Sequence, residues 1–237
     1  MNVLRGLLFN LFYSTSVLIF SILATLIMPF LSFQERQRLL RMWPLVVMIL
    51  LRVICGIRFQ VEGKENIPST PVVIVSNHQS SWETIALFDL LWPICTVLKK
   101  ELTYIPFFGW ALSWAKPIVI DRSKKATALK EILRQGKNRL NSELSVLIFP
   151  EGTRVPPNET RPYMPGAALL AVKSGVPLLP VVHNAGCHWP AHQIQKIPGT
   201  IKVKIGEPLD TKSGDPKQLT KQVESWISNE KSQLVCK

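Results

Sequence analysis

The sequence predicts an α/β fold: a single, largely parallel or mixed β-sheet flanked by helices, preceded by an N-terminal membrane-embedded helical segment. Three observations predict it. From about Phe59 onward, short runs rich in Val and Ile alternate with longer amphipathic stretches, as strands separated by helices do when a sheet is covered on both faces. No charged residue occurs between Arg5 and Glu35, a stretch that as a helix would measure about 43 Å, against the roughly 30 Å hydrocarbon core of a bilayer. Lys and Arg outnumber Asp and Glu by 28 to 16, for a formal net charge of +12, while 47% of the 237 residues are apolar and only 19% charged. That balance excludes a wholly disordered or collagen-like chain and points to an anionic membrane surface. No basic run is longer than Lys-Lys, so no nucleic-acid partner is expected.

The N-terminal segment, residues 1–58, is expected to anchor the chain. Its apolar run is too long for a cleaved signal peptide, and no small-residue cleavage site follows it. A second apolar block, Met42 to Ile57, is short and carries Arg52, so it is no confident span. Arg36, Arg38 and Arg41 lie between the blocks, and the remainder is also basic, so a two-pass hairpin conflicts with the positive-inside rule. Two arrangements remain. Either the first block spans and everything from Gln34 onward is cytoplasmic, or both helices lie in one leaflet with the arginines reaching back to phosphates.

Residues 59–237 form the α/β domain. Strands are predicted over 71–76, 94–98, 117–120, 144–149, 176–182 and 201–205, and helices over 81–91, 124–140, 166–174 and 218–233. Four cysteines, Cys55, Cys95, Cys187 and Cys236, form no C-x-x-C pair and are too sparse for a disulfide framework, so four free thiols are expected.

In open α/β sheets chemistry gathers beyond the carboxyl ends of strands. Two such ends are chemically loaded, Ser76-Asn-His-Gln-Ser-Ser-Trp-Glu83 and Phe149-Pro-Glu-Gly-Thr-Arg154. His78 follows a strand directly. If it sits in the turn and Glu83 in the first helical turn, the carboxylate can reach the imidazole, fixing its tautomer and stabilising imidazolium, as a base acting on an alcohol requires. Ser80 to Glu83 equally reads as a capping box, with Ser80 as N-cap. A serine nucleophile is disfavoured, because no Gly-x-Ser-x-Gly elbow is present. Gly152 permits close backbone approach, Thr153 offers a hydroxyl, and Arg154 offers a fork of donors suited to phosphate. Arg122, after a strand, is a further phosphate candidate, though a surface ion pair would explain it. His183, Cys187, His188 and His192 match no standard zinc spacing, so no metal is assigned.

Four segments, in order, resemble the motifs of the glycerolipid acyltransferases typified by 1-acyl-glycerol-3-phosphate acyltransferase. Asn77-His78 with Glu83 is similar to Asn-His-x4-Asp, with Glu for Asp. Lys99-Lys-Glu-Leu102, Ile105-Pro-Phe-Phe-Gly109 and Ile120-Asp-Arg122 resemble the second region, Phe149 to Arg154 the third motif, and Val176-Pro-Leu-Leu-Pro-Val181 the fourth. The resemblance implies transfer of a fatty acyl group from acyl-CoA or acyl-ACP to the free hydroxyl of lysophosphatidic acid, with no bound cofactor, giving phosphatidic acid. It implies His78 as general base and Glu83 as its orienting carboxylate. Lys99 and Arg154 would hold phosphate, with Arg122 as a further candidate, and Glu151 and Gly152 would shape the glycerol pocket. The domain would face the cytoplasm, at the inner membrane if the source is bacterial. Acylation of another lysolipid, such as a lyso-ornithine lipid or lysophosphoethanolamine, and a non-catalytic membrane-binding module are the rival readings.

Overall fold

The computed structural model describes every residue except Ser213, Val235 and Lys237, and for Lys125 the backbone alone. Two helices lead the chain. Helix α1 (Asn2–Ile27) runs into a 3-10 turn at Met28–Phe30, where Pro29 interrupts it. Helix α2 (Phe33–Leu50) opens on a capping box: the Ser32 amide donates to Glu35 Oε2 at 2.8 Å, and the Glu35 amide donates to Ser32 Oγ. A π-type turn, Leu51–Cys55, closes at Gly56, whose φ of 67° suits a residue without Cβ.

The domain follows as β1 (Ile57–Glu62), β2 (Val73–Ser76), α3 (Trp82–Leu90), β3 (Ile94–Lys99), α4 (Phe108–Ser113), β4 (Ile118–Ile120), α5 (Lys125–Leu140) and β5 (Ser145–Ile148). It is completed by α6 (Gly166–Ser174), β6 (Leu178–His183), α7 (Ala185–His188), β7 (Gly199–Ile205) and α8 (Pro216–Gln233). Seven strands form one sheet in the order β1-β7-β6-β2-β5-β3-β4, parallel except where β6 meets β7. The predicted α/β class holds, and each predicted strand and helix is present within a few residues. Strand β1 is additional. It starts inside the second apolar block and alternates Ile, Arg, Phe, Gln, Val, Glu at the sheet edge.

Alternation along β2 shows how the core is built. Ile74 packs with Trp82, Ile85 and Leu147 in a cluster that also holds Phe9 of α1 and Val47 of α2. Val73 and Val75 point the other way, among Ala167, Leu170, Val223 and Ile227 of α6 and α8. A strand buried on both faces can therefore be continuously apolar.

Helix α1 runs across the edge of the sheet where the parallel strands end. Near its start Gly6 lies so close to the Ile194 carbonyl that a Cβ would overlap it, and the Lys196 amide donates to Asn2 O. Near its end Thr25 Oγ1 donates to Phe107 O at 3.4 Å. Lys196, buried to 1% exposure, gives its ammonium to Gln193 O and Ile194 O while facing the rings of Phe9 and Trp189. The outward face of α1 exposes Leu4, Leu7, Leu11, Leu18, Leu23 and Leu26. Residues 2–30 make a helical stretch long and apolar enough to cross a membrane.

The expectation of four free thiols is corrected. Cys187 and Cys236 are joined as a disulfide across 49 residues, tying the segment after α8 to α7, and Cys55 and Cys95 are free and buried. The pairing escaped a reading of spacing because the fold, not local sequence, brings the two Cα atoms to 5.3 Å.

Candidate active site

The strands β6, β2, β5, β3 and β4 lie side by side and parallel, so their carboxyl ends share one edge. His183, His78, Glu151 with Arg154, Lys99 and Arg122 follow those ends in that spatial order. The topology thus lines these residues along one edge of the sheet, with Glu83 on α3 behind His78.

His78 Nδ1 lies 2.7 Å from Glu83 Oε1. The same oxygen accepts the Gln79 amide at 2.8 Å and the Ser80 amide at 2.7 Å. An oxygen receiving two backbone N–H groups is an acceptor, so His78 Nδ1 carries the proton and Nε2 is the nitrogen left open. The ring stacks on Phe149, with centroids 4.3 Å apart, and His78 is 8% exposed. Glu83 is fully buried. Burial opposes its ionisation, but the imidazoles of His183 and His78 and the Ser80 amide outweigh burial and hold the carboxyl below its usual range.

The partner of the His78 ring and the clamp of the turn are one and the same carboxylate oxygen. Only half of the capping box expected at Ser80 is formed: Glu83 accepts the Ser80 amide at 2.7 Å, but the N-cap is Ser81, and Ser80 Oγ accepts the Trp82 amide at 3.1 Å in place of that of Glu83. One residue of displacement follows because Glu83 Oε1 reaches back past the helix start to the turn that carries His78.

Behind the pair, Asn77 joins β2 to β6 as an added rung, its Nδ2 donating to His183 O at 2.9 Å and its Oδ1 accepting the His183 amide at 3.0 Å. The Ala185 amide donates to His183 Nδ1, so His183 Nε2 bears hydrogen and donates to Asn77 O at 2.8 Å. Burial lowers the His183 imidazole, in keeping with this neutral form. Its Nε2 lies 3.9 Å from Glu83 Oε2, which has no hydrogen-bond partner. Sequence reasoning placed His183 only in a doubtful metal set. The strand-end position that flagged His78 flags His183 equally.

Glu151 takes the His78 amide on Oε1 at 3.1 Å, and Val155 donates its amide to His78 O at 2.7 Å, so the loop after β5 grips the backbone of His78. Burial raises the Glu151 carboxyl to about 7. Gly152, with φ of 69°, offers its carbonyl to Arg122 Nη1 at 2.8 Å. Arg154 lies within Coulombic reach of Arg122 and of the Tyr13 phenol on α1, and among the described residues neither arginine has a carboxylate within ion-pair distance. Tyr13 packs edge-on against Trp189 and beside Trp43, which brings α1 over the site, a contribution no motif announced. Lys99 and Thr153 are exposed at the rim.

The doubtful metal set is dispersed. His183 and Cys187 are bonded as described, His188 Nδ1 faces Ile197 O at 3.1 Å, and His192 is exposed. Among the described residues no three His, Cys, Asp or Glu side chains are grouped to hold a metal ion.

The fold is that of an acyltransferase: the sequence model of the family described as Acyltransferase matches residues 58–184, more than half the chain, and the chain belongs to that family. Within it, the 1-acyl-sn-glycerol-3-phosphate acyltransferases are the members it is similar to. The enzyme of that name from Pseudomonas aeruginosa is 43% identical over 235 residues, covering 98% of this chain and 91% of that one. The Saccharomyces cerevisiae enzyme is 33% identical over 135 residues, and the alpha form from Homo sapiens 30% over 185. The chain spans 45% and 64% of the length of those two eukaryotic relatives. The crystal structure of the 1-acyl-sn-glycerophosphate (LPA) acyltransferase PlsC from Thermotoga maritima superposes with a TM-score of 0.79 at 25% identity, covering 98% of this chain and 95% of that one.

Proposed function

We propose that the protein is a membrane-bound 1-acyl-sn-glycerol-3-phosphate O-acyltransferase, moving a fatty acyl group from acyl-CoA or acyl-ACP to the sn-2 hydroxyl of lysophosphatidic acid. The observation that carries this reading is the His78–Glu83 contact at 2.7 Å, which leaves Nε2 free at the strand-end rim. Nε2 takes the proton of the acceptor hydroxyl as its oxygen attacks the thioester carbonyl. Glu83 stabilises the imidazolium that forms. Collapse of the tetrahedral intermediate breaks the C–S bond, and the imidazolium returns the proton to the leaving thiolate. The product is phosphatidic acid.

Arg154 and Arg122, with no carboxylate of the described residues within ion-pair distance and Glu101 acting on Arg122 only from further off, suit a phosphate monoester, with Lys99 at the rim as a third cation. This favours lysophosphatidic acid over a zwitterionic lysolipid. Glu151 and Gly152 shape the floor of the acceptor site, and Thr153 supplies a hydroxyl at its mouth. A helix held to its domain near both ends cannot leave it to cross a bilayer. The contacts at Gly6 and Thr25, about 28 Å apart along α1, therefore support the one-leaflet arrangement with the apolar face in lipid. The basic domain would then face the cytoplasm.

The test is acyl transfer by the purified protein in vesicles, with lysophosphatidic acid, lyso-ornithine lipid and lysophosphoethanolamine offered separately, and acyl-CoA or acyl-ACP as donor. Thiol release and phosphatidic acid formation with the first acceptor, abolished in His78→Ala while membrane binding persists, is the expected result. Substantial turnover by purified His78→Ala would refute the base assignment.

A further inference from the structure

Behind the rim lies a small polar cavity of about 30 Å³, lined by Asn77, Gln79, Glu151, Tyr163, Glu224 and Lys231 among others. Glu151 is 6% exposed, and its Oε2 is buried without a partner, while Oε1 holds the His78 amide. Lys231 comes from the last turns of α8, beyond every motif and beyond the segment that the family matches. Its Nζ donates to Glu159 O at 2.6 Å, pinning the loop that continues from Arg154. The Cys187–Cys236 disulfide fastens the chain just past α8 to α7, at the same rim. The end of α8 is thus fastened both to α7 and to the loop that continues from Arg154.

We propose that Lys231 is a positioning residue for the acyl transfer described above: its ammonium, lining the same cavity as the Glu151 carboxyl, biases that carboxyl toward the anion that grips the His78 backbone. An ionised carboxyl accepts the His78 amide more strongly than a neutral one, and so holds the turn that carries His78. The charges that bear on Glu151 come from every neighbouring element. They are Glu83 on α3, Glu159, Arg161 and Tyr163 in the loop before α6, and Glu224 and Lys231 on α8, while His78 meets Glu151 through its backbone amide. Among them Glu83 opposes ionisation of Glu151 and Lys231 favours it.

The inference rests on the acyltransferase reading, so its test has one arm that needs no turnover. In the full chain labelled with carboxyl-13C glutamate, the resonance lost in Glu151→Gln is assigned to Glu151 and titrated in wild type, Lys231→Gln, Lys231→Met and Lys231→Arg. Gln removes the charge and keeps a donor of one atom shorter reach toward the Glu159 carbonyl, while Met removes both charge and donor. The midpoint should rise by about one unit in Gln and Met, the scale of one nearby opposite charge, and return in Arg. The acid limb of the kcat/KM profile for lysophosphatidic acid should move with it. An unchanged midpoint in Lys231→Gln overturns the proposal whatever the activity. So does a moved midpoint with a pH profile that overlays wild type. Wild-type protein inactive on lysophosphatidic acid would instead refute the acyltransferase reading, and the titration would still decide the Lys231–Glu151 coupling.

Discussion

Glu83→Gln separates the two jobs that one oxygen performs. The amide oxygen of Gln can still accept the Gln79 and Ser80 amides and the His78 Nδ1–H, so the turn is kept and the tautomer is favoured. What disappears is the charge facing the imidazolium in the transition state. At an effective dielectric of about 20, unit charges with centres about 4 Å apart attract by about 4 kcal/mol, or about a thousandfold in rate. A neutral amide dipole recovers part of this, so kcat should fall by about 10²–10³, in line with the large effect of an orienting carboxylate in serine proteases. The new NH2 would replace Oε2, 3.9 Å from the His183 Nε2–H, setting donor against donor in a buried site. That costs about 1–3 kcal/mol, so the melting temperature should drop by a few degrees with folding intact. Glu83→Asp restores a charge with shorter reach and should keep measurable activity. The assay is thiol release under saturating acceptor and donor, beside a thermal melt. Turnover of Glu83→Gln within tenfold of wild type would refute the electrostatic argument and leave Glu83 as a clamp of the turn alone.

Three further outcomes follow from single contacts. Arg154→Ala should raise the KM for lysophosphatidic acid tenfold or more, since a charge-assisted phosphate contact contributes about 1.5–3 kcal/mol; a rise confined to the acyl-donor KM would move Arg154 to the other substrate. Gly6→Ala should lower the melting temperature and loosen membrane retention, although Gly to Ala inside a helix ordinarily stabilises by about 1 kcal/mol, because the new methyl meets the Ile194 carbonyl; a higher melting point would show that α1 is not docked as described. Burial raises Glu151 from 4.5 to about 7, so the folded state binds its proton more tightly than the unfolded chain. The stability this favours is full below the unfolded value and fades as pH rises through 7. Urea unfolding of Glu151→Gln should therefore show a gain over wild type at pH 8 of at most about 3 kcal/mol, vanishing near pH 4; a constant difference at both pH values would count against the raised carboxyl.

Local patterns carried most of what could be read without coordinates. The apolar runs at 73–76 and 145–148 announce strands because both faces are buried, and the polar residues just beyond them mark the rim. Features that depend on which distant segments meet were not legible. Strand β1 hid at the end of an apolar block that continued through Ile57, and it runs parallel to β7, whose antiparallel pairing with β6 reverses that side of the sheet. The disulfide joins positions 49 residues apart. Glu83 was legible as both partner and cap, but the sharing of one oxygen between three donors belongs to the backbone's path. Lys231 and Tyr13 carry no signature at all, since a lysine near a helix end and a tyrosine in an apolar helix have ordinary explanations.

Laying α1 across the catalytic rim, with its leucines turned outward, changes what concentration means for this protein. On the proposed one-leaflet arrangement, an acceptor dissolved in lipid would reach the rim by sliding within a sheet of solvent only a few molecules deep. Its encounter frequency is then set by its mole fraction among neighbouring lipids, not by molarity in the tube. Adding inert amphiphile at fixed total lysophosphatidic acid would slow the reaction by crowding the acceptor out of the enzyme's two-dimensional neighbourhood. Phosphatidic acid, born in that same plane, would leave by lateral diffusion without ever entering water.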